Sequence, residues 1–174
     1  MSIFTFSKNS FEGQLPDEKT LLVARKHWIF LFIPLMIISL LVVGVILIGI
    51  VLSSFSWWKS LSSLYIFLSF VLFLILWNLL FYGIMIYSLN TVIITNKRII
   101  ENQQLGLFKH AVNEIELKNI QDISIKILGP FAQLLNYGNI EIQSAGAIAK
   151  FNFTKLPDPQ KIKNIIIKAK QASL

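Results

Sequence analysis

The chain contains no cysteine, which removes disulfide frameworks, thiolate nucleophiles and Cys-based zinc or iron–sulfur sites from consideration. Histidine is almost as scarce, with His27 and His110 the only two. The motifs HExxH, GxSxG, Walker A and GxGxxG are all absent, so metal hydrolysis, serine hydrolysis and nucleotide binding have no motif to rest on. Acidic residues number 9 against 16 Lys and Arg in 174 residues, giving a net charge of +7. Charge of either sign is missing altogether from two stretches, Trp28 to Leu52 and Leu61 to Leu89.

Those two stretches dominate what is present. Each exceeds the roughly 20 apolar residues needed to cross about 30 Å of hydrocarbon, and the connection between them (SSFSWWKS) is short and holds only Lys59. Mean hydropathy is +0.66 although most charges lie after residue 90. This pattern predicts a transmembrane hairpin over residues 28–89, with spans at about 28–52 and 61–89. It divides the rest into an N-terminal segment, 1–27, and one small domain, 90–174. The 27 mostly polar residues before the first run make it a retained anchor rather than a cleaved leader. Arg25, Lys26 and His27 stand just before the first span and Lys97 and Arg98 follow the second, so the positive-inside rule places both termini in the cytoplasm. Trp28, Trp57, Trp58, Tyr82 and Tyr87 lie near the span ends, where amphipathic aromatics favour the interface. Inside the spans Asn78 is the only strongly polar residue; an interhelical hydrogen bond is the expected use, and no transport pathway is implied. Gly44, Gly49 and Ser53 offer points of close helix approach.

After Leu89 the period changes. Asn90 to Thr95 is rich in β-branched residues and runs through Asn96-Lys97 into Arg98 to Gln104, a hairpin pattern. Ile115 and Leu117 alternate with Glu114 and Glu116, and Ile123, Ile125 and Ile127 with Asp122, Ser124 and Lys126, as half-buried antiparallel strands require. Gly129 to Asn136 reads as a loop or short helical turn. Tyr137 to Ser144 and Ile148 to Phe153 form a further pair. Asp158 and Pro159 mark a helix start, and Ile162, Ile165, Ile166 and Ala169 recur at helical spacing among Lys161, Lys163, Lys168 and Lys170. The expected fold class is a transmembrane α-hairpin plus an all-β barrel or curved antiparallel sheet closed by a C-terminal helix.

The segments ITNKRII, IELKNIQDI, LLNYGNIEIQSAG and DPQKI, in that order between Asn90 and Lys170, resemble the pleckstrin-homology-like (PH-like) domain of membrane-anchored bacterial proteins of the YdbS/YdbT type. LPDEKTLLVARKHW before the first span is similar to the family's acidic-then-apolar entry. Asn136 stands where a glycine before Tyr-Gly is common in that resemblance. The resemblance implies a PH-like barrel on a membrane hairpin in the bacterial inner membrane, without a settled activity. Such a barrel has seven strands and only six follow the hairpin, so Lys19 to Arg25 is either the seventh or an amphipathic interfacial helix.

These readings lead to a non-catalytic inner-membrane protein whose cytoplasmic module binds a protein partner or anionic lipid headgroups. The bilayer itself, a protein partner or a second copy, and anionic headgroups are the expected partners. Nucleic acid is not, because no aromatic-interleaved basic strand or recognition helix accompanies the charge. No cofactor or metal is expected. An accessory subunit of a transport or envelope-stress complex and an unrecognised enzyme are the alternatives. Arg25, Lys26, His27, Trp28, Lys97, Arg98, Lys161, Lys163, Lys168 and Lys170 are the expected membrane-surface contacts, each cation near an anionic leaflet contributing about 1 kcal/mol. Phe108, Phe131, Tyr137, Phe151 and Phe153 are read as core and lid.

Overall fold

The computed structural model describes residues 13–144 and 150–173. They fall into two compact units, one made of residues up to His27 together with those from Ser88 onward, the other of Trp28–Tyr87.

The second unit is a pair of helices, α1 (Ile29–Ser53) and the greater part of α2 (Trp58–Leu89), of 25 and 32 residues. Both are long and apolar enough to cross a membrane. Their side chains face outward, with none buried on α1 and only Leu76 buried on α2. Gly49 lets the helices meet: a Cβ there would lie 3.0 Å from Tyr65 Cε1, and the Tyr65 hydroxyl donates to the Val45 carbonyl one helix away. Gly44 has open space around it. Asn78 is exposed and its amide donates to the Leu74 carbonyl of its own helix at 2.8 Å. Within the hairpin the amide thus bonds its own helix rather than the facing one.

Among the described residues the first unit contains seven strands in two antiparallel sheets. Strand β1 (Thr20–Arg25) pairs with β2 (Thr91–Thr95), β2 with β3 (Arg98–Gln104), and β3 with β4 (His110–Glu116). A 3-10 turn at Leu117–Asn119 leads to the second sheet, β5 (Ile120–Lys126), β6 (Tyr137–Ser144) and β7 (Lys150–Pro157), in that order. Among the described residues no strand ladder joins the sheets, so the architecture is an open pair rather than a closed barrel. A short helix α3 (Pro130–Leu134) links β5 to β6, and α4 (Pro159–Ser173) follows β7.

Residues 20–25 thus form a strand, and its partner is the first strand after the hairpin. Arg25 lies opposite Thr91 and Ala24 opposite Val92, so the two apolar helices are an insertion between neighbouring strands. Only Lys26 to Trp28 on one side and Asn90 on the other separate strand from helix.

The core follows from the period-two pattern. Ile94, Ile99, Ile115, Leu117, Ile140, Ile142 and Phe153 meet between the sheets, and α4 adds Ile162, Ile166 and Ala169, with Ile165 partly buried beside them. Ile93 and Ile100, opposite each other across β2 and β3, are buried on the other face of the first sheet. Two backbone details explain the LNYG motif. Asn136 adopts φ 51°, the left-handed region that glycine fills at no cost and asparagine tolerates best among the rest. Gly138 is required by close approach, because a Cβ there would sit 2.9 Å from the Lys126 carbonyl oxygen. Asp158, placed at the start of α4, has φ 43° and accepts a bond from the Asn136 side-chain amide, while its carbonyl accepts from Ile162 N–H at 3.2 Å.

Candidate functional site

The ten expected surface contacts lie at different places. Arg25 and Lys26 follow one another where β1 runs toward α1, Arg25 exposed and Lys26 half-buried. Burial lowers the Lys26 ammonium pKa and the nearby Lys155 lowers it further, against the pull of Glu101. Glu101 in turn is raised by burial, which outweighs the bond from the Asn113 amide and the attraction of Lys26. His27 is buried rather than interfacial: its ring centroid lies 5.4 Å from that of Tyr137, and its backbone N–H donates to the Lys155 carbonyl at 2.7 Å. That contact ties the end of β1 to the second sheet. Trp28 belongs to the helix unit and packs edge-on against Phe32 at 5.7 Å.

Lys97 and Arg98 sit at the opposite end of β2 from Asn90, about 17–20 Å along the strand. Arg98 is occupied internally. Its Nε and Nη2 donate to Glu18 at 3.0 and 3.1 Å, its Nη1 to Glu114 at 2.7 Å, and Nη2 also to the Gly13 carbonyl at 2.7 Å. The Glu18 side chain is 0% exposed. Burial alone would raise its carboxyl pKa, but the bonds from Arg98, the Leu15 amide and Thr95 overcome that and hold it below the ordinary carboxylate value. The knot also fixes the β2–β3 turn, since Lys97 Nζ donates to the Pro16 carbonyl and Asn96 bonds Lys19 N–H and the Asp17 carbonyl. The acidic pair before β1 in the sequence is the signal for this partnership, because a buried carboxylate needs a cation.

The helix lysines are strung along α4, about 22 Å long at 1.5 Å per residue. Lys161 and Lys168 are exposed and Lys163 is half-buried. Lys170 reaches back to donate to the Ile120 carbonyl at 2.7 Å, securing the helix end against β5.

A different set of residues gathers where the hairpin is inserted. The Gln104 N–H donates to Asn90 Oδ1 at 3.0 Å, which puts the β3–β4 connection, residues 105–109, at this end. Tyr137 follows α3 by three residues and touches His27, which puts the β5–β6 connection there too. Both carry large exposed apolar side chains: Leu105, Leu107 and Phe108 in the first, Leu128, Phe131 and Leu134 in the second. Phe108 is 98% and Phe131 72% exposed. The expectation that both are core or lid is corrected. Each lies in a connection rather than on an inward strand position, whereas Phe153, on β7, is buried.

The profile of the Bacterial PH domain family matches residues 28–170. The chain belongs to that family. Strand β1 lies N-terminal to the matched residues yet completes the first sheet of the bacterial PH domain. A solved structure described as a DUF1696 family protein with a pleckstrin-homology domain from Shewanella loihica PV-4 is 19% identical, with a TM-score of 0.39, over 49% of this chain and 71% of that one. No curated protein matches the sequence. Among the described residues of this PH domain no group of three or more His, Asp or Glu is placed to hold a metal ion. A hollow of about 340 Å³ is lined by Leu15, Asn96, Lys97, Arg98, Glu114, Glu116 and Lys118. Arg98 is paired there with Glu18 and Glu114, Lys118 Nζ lies 2.9 Å from Glu116, and Lys97 Nζ donates to the Pro16 carbonyl.

Proposed function

We propose that this chain is a non-catalytic inner-membrane protein whose hairpin anchors a cytoplasmic PH-like module, and that the module binds anionic headgroups or a protein partner at the surface of the bilayer. PH-like domains are generally non-catalytic, and the reading draws on that. The observation that carries it is the insertion of two helices of membrane-spanning length between paired strands β1 and β2. A module joined to its anchor by three residues on one side and one on the other stays close to the surface. Confinement of this kind raises effective ligand concentration toward about 1 mM, so weak intrinsic affinity suffices.

The test is sedimentation with anionic vesicles across a salt series. The protein used carries a short turn joining His27 to Asn90 in place of the hairpin, so that β1 is kept. Weak binding that fades with salt and with Lys161→Ala supports headgroup attraction. Tight, salt-insensitive binding would replace surface confinement by a specific headgroup pocket. Absence of binding at every salt concentration would leave the protein partner as ligand.

A further inference from the structure

Single exposed apolar residues are ordinary on protein surfaces, whereas a group of large ones at one place marks an interaction site. Leu105, Leu107 and Phe108 occupy one connection and Leu128, Phe131 and Leu134 another, with exposures of 50, 59, 98, 73, 72 and 80% respectively. Nothing in the strand pattern requires side chains of this kind there. Both connections are fixed to the strand ends from which the apolar helices leave, the first by the Gln104–Asn90 bond and the second through Tyr137 against His27. Cations share this end of the domain. Arg25 precedes α1, Lys109 closes the first connection by accepting from Leu105 N–H at its carbonyl, and Lys155 lies beside His27.

We infer that the β3–β4 and β5–β6 connections are a pair of apolar tips that insert into the headgroup–acyl boundary of the same bilayer the hairpin crosses, docking the insertion end of the PH domain onto the lipid. The inference rests on the reading of α1 and α2 as membrane spans and deepens it. A tether alone keeps the domain near the surface, while two tips beside the tether fix which end faces it. The occupant is lipid because the chain's own anchor brings the bilayer to this end, and because apolar tips that share an end with Arg25, Lys109 and Lys155 suit an anionic interface.

The absence of cysteine makes the test direct. Phe108→Cys, Phe131→Cys, Lys118→Cys and Leu68→Cys each provide one site for an environment-sensitive fluorophore in the full chain, reconstituted into phosphatidylethanolamine–phosphatidylglycerol vesicles with or without nitroxide-bearing lipid. Lys118 adjoins the β2–β3 turn through the Leu117 N–H bond to the Lys97 carbonyl, at the far end of the first sheet, and Leu68 is an outward position on α2. Labels at 108 and 131 are expected to shift to the blue and to lose most of their emission to shallow nitroxides, while the label at 118 does neither. Quenching at 68 without quenching at 108 and 131 would overturn this inference and leave the anchor standing. A blue shift at 108 and 131 without quenching would mean that protein, a partner or a second copy, covers the tips. Equal quenching at 118 would mean that no particular end docks. A label at 68 that mid-chain nitroxides also leave unquenched would remove the membrane anchor and the inference with it.

Discussion

Removing the Glu18 carboxylate tests whether the N-terminal segment is an integral part of the domain. In the native fold it accepts from Leu15 N–H and Thr95 Oγ1, both at 2.8 Å, and from two nitrogens of Arg98. Glu18→Ala leaves the guanidinium with Glu114 and the Gly13 carbonyl, in a side chain only 15% exposed. Deleting one partner of a buried pair costs about 3–5 kcal/mol, and partial hydration of Arg98 with its remaining bond to Glu114 favours the lower end, about 3 kcal/mol. The change should appear as a lower urea midpoint with unchanged slope in the domain carrying a short turn between His27 and Asn90. Arg98→Met in the Glu18→Ala background should cost much less than Arg98→Met alone, because no buried Glu18 carboxylate is then left without its cation.

The pair also sets an acid limit. The Glu18 carboxyl is held below its ordinary value in the folded state, so the folded protein binds its proton less readily than the unfolded chain does. The stabilisation is therefore fully present above the unfolded value of about 4.3 and is lost as pH falls from there through the folded value. Wild-type stability should decline over that acid window and the Glu18→Ala protein should decline less. A cost below about 1 kcal/mol, or parallel acid profiles for the two proteins, would refute an internal ion pair and reduce Glu18–Arg98 to a surface contact.

Cutting the chain after the second helix should destroy the fold: a fragment of residues 90–174 lacks β1 and Glu18 and should give no cooperative urea transition, whereas the version closed from His27 to Asn90 should give one. Ile166→Asp places a charge at a position 0% exposed and should destabilise by at least about 3 kcal/mol, while Lys163→Asp should stay within about 1 kcal/mol. Equal protease resistance of those two variants would argue against α4 as the cover of the sheets. Reporter fusions after Leu174 should score as cytoplasmic and those within residues 54–57 as exported, and the reverse pattern would invert the topology.

Much of the fold was legible because each element's own period announces it. The charge-free runs give the helices, Ile115/Leu117 and Ile123/Ile125 give strands with one inward face, and Ile162/Ile166/Ala169 give the covering stripe of α4. Residues 20–25 were ambiguous for a physical reason. Leu22 and Ala24 face inward while Leu21 and Val23 are exposed, so TLLVAR reads as well for an interfacial helix as for a strand. Pairing with β2 decides it, and that pairing joins residues separated in sequence by the whole hairpin. Long-range partnership also hid the use of Arg98. A cation just after a span looks like a topology determinant, and only the fold brings Glu18 to it.

The apolar connections were hidden differently. Sequence patterning assigns large hydrophobics to a core unless something holds them out, and the constraint here is geometric. Gln104 and His110 face each other as the last registered pair of β3 and β4, so Leu105 to Lys109 must project beyond the sheet. Gly129 with φ 95° and Pro130 at the start of α3 turn the chain away from β5 before Phe131, and Ala132 is the residue of that helix that faces inward. Phe131 and Leu134 are therefore displaced from the core by backbone geometry rather than by packing competition. Both connections are held, through Gln104–Asn90 and Tyr137–His27, to the strand ends that carry the hairpin. Lengthening the links to the hairpin would leave the core intact while changing how closely the tips are held to whatever surface the helices enter. That separates the stability of the domain, set by the strands and the Glu18–Arg98 pair, from its placement, set by Lys26 to Trp28 and Asn90.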